Sequence, residues 1–248
     1  MKVIRAIVLK IYMVWVLLVF TLFMLIILPV MVLPGLFGQK YGNITYFGLW
    51  LWSWIFSLLT FIRYEVIGAE NVDKKTSYIY ASNHTSFLDL PGLRIAIPTQ
   101  FRPLAKKELL KIPVFGLIVR VACVVVDRTN AESRKKSIAT LTKRIRSGIS
   151  LLIFPEGTQN RTDQPLQPFY DGAFRLSKET ETPIMPVVVV NAGELMPPST
   201  INLKPGKIKV IFGTPVPPHS SPDLAGLKQE TYDQMMGILK KYKKGVTQ

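Results

Sequence analysis

The sequence predicts an α/β fold: a mostly parallel sheet flanked by helices, preceded by an N-terminal membrane-attached helical hairpin. Three observations predict it. From residue 63 onward, short runs rich in β-branched residues alternate with helical stretches, the pattern of βαβ units. The first 62 residues hold two apolar runs separated by a stretch with proline and glycine. Charge is divided the same way: the only charged residues before Glu65 are Lys2, Arg5, Lys10, Lys40 and Arg63, and none is acidic. The expected division is therefore 1–62 as a two-helix membrane anchor and 63–248 as the α/β domain.

The first run, Ile11 to Leu33, is uncharged and follows three basic residues. A secretory signal would have a shorter apolar core and a small-residue cleavage site. A helix from Ile7 to Leu33 would be roughly 40 Å long, against a hydrocarbon core of roughly 30 Å. Pro29, Pro34 and Gly35 are expected to interrupt or end it. The second run, Ile44 to Ile62, contains Trp50, Trp52, Trp54, Phe56 and Phe61, and tryptophan favours the membrane interface. Both outer ends of this hairpin are basic and its loop has only Lys40, which places the ends on the cytoplasmic face. The lengths admit either a crossing or insertion into one leaflet.

In the domain, strands are expected at Arg63–Ile67, Tyr78–Ser82, Arg102–Ala105, Cys123–Val126, Leu151–Phe154, Ile184–Val190 and Lys207–Phe212. Helices are expected at Ser86–Ala96, Lys107–Val119, Ala131–Ser147, Gly172–Glu179 and Pro222–Tyr242. The third of these ends in Arg144, Arg146 and Gly148, which suit its dipole and C-cap. The last begins with Ser221 as cap, Pro222 at its first position and Asp223 in its first turn. In such sheets, sites form at the carboxyl ends of the strands.

The chain carries a formal net charge of +15, and after Lys2, Arg5, Lys10, Lys40 and Arg63 there remain 26 basic against 16 acidic residues. Such a surface suits nucleic acid or anionic lipid, and the apolar N-terminus favours lipid. The single Cys123 cannot form an internal disulfide, and with two histidines it makes no zinc cluster.

Asn83-His84-Thr85-Ser86-Phe87-Leu88-Asp89 leaves a predicted strand and enters a helix. Asp89, five residues after His84, can accept the proton of one imidazole nitrogen and leave the other to take a proton from a substrate hydroxyl. Two plainer readings compete. Ser86 and Asp89 also match a capping box, and His84 could be a satisfied core histidine. Asn83, like Asn43 and Asn160, also begins a glycosylation sequon. Phe154-Pro155-Glu156-Gly157-Thr158 delivers a carboxylate and then a glycine at the end of another strand. The glycine would admit close approach of a ligand. The plainer reading is a turn with Glu156 in solvent.

In combination, these segments resemble the glycerophospholipid acyltransferase family, of the lysophosphatidic acid (1-acylglycerol-3-phosphate) acyltransferase type. The His-x-x-x-x-Asp block is His84 to Asp89, and the Glu-Gly-Thr block is Glu156 to Thr158. A middle block resembles Lys106-Lys107-Glu108, Pro113, Gly116 and Val126-Asp127-Arg128. A fourth resembles Thr182 to Val187, and Phe169 to Phe174 and Phe212 to Pro215 extend the similarity. The resemblance implies acyl transfer from an acyl-carrier protein or coenzyme A thioester to the sn-2 hydroxyl of a lysophospholipid. His84 would be the base and Asp89 its orienter. Arg128 and a lysine of the Lys106-Lys107 pair would hold the acceptor phosphate. Glu156 and Gly157 would bind the glycerol portion, and Thr158 and Arg161 complete the expected substrate-binding set. No metal or other cofactor is implied, nor nucleic acid.

Two positions depart from the family. Gln159 stands where arginine usually follows Glu-Gly-Thr, with Arg161 two positions later, and Phe169-Tyr170 replaces Phe-Lys. Both changes remove positive charge near the expected phosphate, so a lyso-ornithine lipid or another lysophospholipid is an alternative acceptor. No Gly-x-Ser-x-Gly elbow and no phosphate-binding Gly-x-x-x-x-Gly-Lys-Ser/Thr loop occurs. A catalytically silent lipid-binding protein of the same fold is the other alternative. His219, in a proline-rich loop, is expected to be structural or solvated.

Overall fold

The computed structural model describes residues 2–38, 41–127 and 131–243. Two N-terminal helices, α1 (Lys2–Leu36) and α2 (Gly42–Leu59), lead into a seven-stranded sheet. The strands are β1 (Ile62–Ile67), β2 (Ile79–Ser82), β3 (Phe101–Lys106), β4 (Val124–Val126), β5 (Ser150–Ile153), β6 (Ile184–Val190) and β7 (Gly206–Phe212). Between and after them lie α3 (Asp89–Ala96), α4 (Phe115–Ala122), α5 (Ala131–Arg146), α6 (Gly172–Thr180), the short α7 (Ala192–Leu195) and α8 (Leu224–Tyr242). The sheet order is β1-β7-β6-β2-β5-β3-β4, and every pair is parallel except β6–β7. The mostly parallel α/β sheet expected from the sequence is therefore the observed one.

The strands' period-two alternation builds two cores. Tyr80, Leu152, Met185, Val187, Val189, Val210 and Phe212 face one side with residues of α1 to α4. Ile79, Ala81, Leu151, Ile184, Val188 and Val190 face the other with α5, α6 and α8. β6 is buried at all seven positions, as its run Ile-Met-Pro-Val-Val-Val-Val requires of a strand covered on both faces.

The hairpin is not a detached appendage. Met31, Trp52 and Phe56 belong to the same buried cluster as Leu93 and Val210. Tyr12 and Trp15 of α1 donate to the carbonyls of Thr60 and Leu59, tying the start of one helix to the end of the other. Gly48 allows the close approach: a Cβ there would stand 3.2 Å from Met31 Cγ and 3.3 Å from its backbone nitrogen. The opposite face stays exposed and apolar, with Ile44, Phe47, Trp50, Trp54 and Leu58 along α2. Among the described residues, α1 over Ile7–Leu36 is the one helix long and apolar enough to cross a membrane.

Several boundaries differ from the sequence expectation. α1 continues through Pro29 and Pro34 to Leu36. In apolar surroundings a broken helix would leave backbone groups unpaired, so the chain gives up a single donor at each proline and continues. The helix expected over Lys107–Val119 is instead a 3₁₀ turn, Lys107–Lys111, followed by α4. Pro113 holds Ile112 extended, and Val114 at φ +63° turns the chain so that Phe115 N donates to Pro113 O. α8 begins at Leu224 with Asp223, not Ser221, as its cap, accepting from Gly226 N at 2.7 Å. The end of α5 matches expectation: Gly148 takes φ +83°, Gly148 N donates to Ile145 O, and Ile149 N donates to Arg144 O.

Candidate active site

β2 is the middle strand, and His84 follows its carboxyl end. α3 starts only at Asp89, three residues later than expected, because the Asp89 carboxylate takes up the preceding backbone. Its Oδ2 accepts from Thr85 N at 2.7 Å and Ser86 N at 2.8 Å. The same oxygen lies 2.8 Å from His84 Nδ1. An aspartate oxygen already accepting two N–H groups is an acceptor for the ring too, so Nδ1 carries the proton and Nε2 presents its lone pair. One carboxylate oxygen thus holds the ring and two backbone N–H groups, whereas Ser86 is not the helix cap: α3 begins at Asp89 after Leu88, with no side-chain cap bond. Asp89 is fully buried, while the His84 side chain keeps 19% exposure.

The histidine is fixed from three further directions. Its ring stacks on Phe154, centroids 4.1 Å apart and planes at 17°. Its backbone N–H donates to Glu156 Oε1 at 3.0 Å, and its carbonyl accepts from Asn160 N. Glu156 is not a solvated turn residue: it is 2% exposed, and its second oxygen accepts from Gln167 N at 2.9 Å. Burial raises its pKa, opposed by those two N–H groups and by His84. β2 and β5 are parallel neighbours, which brings the two blocks together across 72 residues. Gly157 takes φ +73° where its N–H closes the turn onto Phe154 O, so a backbone need is visible for glycine there.

The remaining expected residues spread along the same sheet edge. Lys106 ends β3 and is exposed. Lys107 follows it, with Nζ 3.0 Å from Asp127 Oδ2, beyond the end of β4. Carboxyl ends of β2, β5, β3 and β4 thus stand in a row, with neighbouring strands about 4.8 Å apart. Thr158 and Arg161 are exposed beside it. Arg128 lies outside the described residues. Gln159 is half-buried and its amide nitrogen has no hydrogen-bond partner. Tyr170 points outward at 69% exposure. Cys123 is a desolvated thiol with its pKa pushed up to about 12, and His219 pairs with Glu181 on an exposed loop. No group of three or more metal-ligating side chains occurs among the described residues.

Sequence reasoning missed Asn160 and Gln167. Asn160 was legible only as a sequon, yet it is 6% exposed, donates to Gln164 O, and accepts from Thr162 and Gln167. Asn83, likewise a sequon residue, is 1% exposed and clamps Val189 through both its amide atoms.

A family model for acyltransferases matches residues 63–190, which contain both blocks. The chain belongs to the acyltransferase family. Among curated relatives, a chloroplastic 1-acyl-sn-glycerol-3-phosphate acyltransferase of Brassica napus is 30% identical over 199 residues, covering 77% of this chain and 57% of that protein. The alpha 1-acyl-sn-glycerol-3-phosphate acyltransferase of Bos taurus is 32% identical over 158 residues, covering 63% and 55%. The chain thus spans somewhat over half the length of these relatives. The crystal structure of a 1-acyl-sn-glycerophosphate (LPA) acyltransferase from Thermotoga maritima aligns over 100% of both chains with a TM-score of 0.78 at 20% identity, a likeness of fold.

Proposed function

We propose that this acyltransferase moves a fatty acyl chain from an acyl thioester to the sn-2 hydroxyl of lysophosphatidic acid, giving phosphatidic acid. The observation that carries the reading is the His84 Nδ1–Asp89 Oδ2 contact of 2.8 Å at the carboxyl end of the central strand. Names borne by the curated relatives support the acceptor.

In this reading, His84 Nε2 takes the acceptor hydroxyl's proton as its oxygen attacks the thioester carbonyl. The tetrahedral intermediate collapses, the C–S bond breaks, and His84 returns the proton to the leaving thiolate. Asp89 keeps the tautomer and Phe154 keeps the ring plane. Such general-base assistance contributes typically about 100- to 10,000-fold. Lys106 and Lys107, at the end of the strand two places from that of His84, provide cations for the acceptor phosphate together with Arg128. Glu156 holds the histidine backbone at the floor of the glycerol site, with Gly157, Thr158 and Arg161 at its rim. The donor thiol is acyl-carrier protein or coenzyme A. The hairpin, covered by the domain on one side and apolar on the other, holds residues 63–248 against the cytoplasmic face of one leaflet.

A second acceptor class is favoured by one observation: the unpaired amide of Gln159 replaces a cation, and Tyr170 brings none. Free-thiol release should be followed with acyl-coenzyme A and acyl-carrier protein, against lysophosphatidic acid, other lysophospholipids and lyso-ornithine lipid. Faster release with lysophosphatidic acid than with any other acceptor is expected. Preference for a less anionic acceptor selects the second class, and absence of acceptor-dependent release with either donor rejects acyl transfer.

A further inference from the structure

At the opposite end of the strands, beside the amino end of β3, lies a shallow, open cavity of about 270 Å³ between α2 and α3. Asn43, Tyr46, Phe47 and Trp50 line it from α2, Arg94 from α3, and Gln100 from the loop before β3. Its two walls differ in chemistry. Phe47 and Trp50 are stacked with centroids 6.0 Å apart and are part of the exposed apolar stripe of α2. The inner wall is cationic and hydrogen-bonding.

Arg94 is held in place before any ligand arrives. Its Nε and Nη2 donate to Tyr46 O at 3.2 and 2.8 Å, and its guanidinium lies 4.5 Å from the Tyr46 ring centroid. A second guanidinium, Arg102, stands 5.6 Å from the same ring, with Nη2 close against Gly42. Neither arginine has a carboxylate partner among the described residues. Burial draws both below the ordinary guanidinium value, and Arg144 adds repulsion at Arg102. These charges are met only by backbone carbonyls, Tyr46 O for Arg94 and Val121 O for Arg102, and half-buried charge without a counter-ion is a cost that a bound anion reduces. An arginine with remaining N–H groups beside a glutamine amide fits phosphate oxygens. The aromatic wall opens on the exposed apolar stripe of α2, a surface that suits acyl chains.

We infer that the Arg94–Tyr46–Gln100 cavity binds the phosphate of an anionic membrane phospholipid, whose chains run along Phe47 and Trp50. This lipid is neither donor nor acceptor. The cavity and His84 lie at opposite ends of parallel strands, and α2, about 27 Å long, runs from one edge toward the other. Its occupant would fix the depth and tilt of the hairpin against the bilayer.

The full chain in a neutral detergent should be titrated with dihexanoyl phosphatidylglycerol, dihexanoyl phosphatidylcholine and inorganic phosphate, following tryptophan emission and the thermal midpoint. Saturable binding of phosphatidylglycerol is expected, at least about tenfold tighter than either other probe. Arg94→Gln should weaken it about tenfold, as loss of a charged hydrogen-bonding partner does. Because Arg94 also braces Tyr46, Gln100→Glu is the companion variant. It keeps every arginine, supplies a tethered counter-ion, and should weaken phosphatidylglycerol binding to the same degree while preserving the thermal midpoint and acceptor-dependent thiol release. Equal binding of the two lipids, equal binding of phosphate alone, or indifference to both variants would overturn the assignment. Because binding is read without turnover, failure of the acyl-transfer reading leaves this result intact.

Discussion

Three donors converge on Asp89 Oδ2, two from the backbone and one from the His84 ring. Removing the ring leaves the two backbone bonds, so His84→Ala should keep the fold and lose acyl-transfer turnover by at least about 100-fold. Circular dichroism and the thiol-release assay check the two halves separately. Glu156 behaves differently, since it is itself buried and both its oxygens accept from backbone N–H groups. Glu156→Gln turns one acceptor into a donor facing a donor, which should cost about 1–3 kcal/mol. The pH dependence has a definite sign. Because burial raises the Glu156 pKa, the folded chain binds its proton more tightly than the unfolded one. The associated stabilisation is full below the ordinary value of 4.5 and is lost as pH rises through the raised one. Thermal midpoints of wild type and Glu156→Gln should therefore draw apart with falling pH across that window.

At the scale of elements, the turn carrying Lys107 to Lys111 depends on Gly116. A Cβ there would stand 2.3 Å from Leu110 O, a backbone atom that cannot swing aside. Gly116→Ala should displace the turn, cost about 1–3 kcal/mol by overpacking, and raise the KM for lysophosphatidic acid while the His84–Asp89 pair stays formed. Acceptor titrations and thermal melts measure both effects. The strands were legible because each is a short β-branched run between turn residues, and six of the seven expected ranges shift at one or both ends only by a residue or so. The break between Lys111 and Phe115 was not, because the apolar run reads as helix until Pro113 and the positive φ of Val114 are seen together.

For the whole molecule, the hairpin and the sheet share one hydrophobic cluster, which holds Met31, Trp52 and Phe56 together with Leu93 and Val210. Deleting residues 1–41 should therefore uncover a core surface and fail to release a soluble folded domain. Size-exclusion chromatography without detergent checks this, and a monodisperse, cooperatively melting fragment would contradict it. The exposed face, by contrast, has no protein to cover it and suits lipid.

Taken by itself, the sequence determined the fold class, the strands, the apolar N-terminal helices and the two blocks proposed to bear the chemistry. Those follow from local periodicity and from residue types at short spacing. Only the tertiary structure decided that Glu156 reaches the His84 backbone, that Phe154 stacks on its ring, that Asn160 is a clasp, and that two arginines with no carboxylate partner among the described residues flank Tyr46. Each of these joins residues far apart in the chain, or on neighbouring strands, and depends on strand order and side-chain direction, which no local pattern encodes.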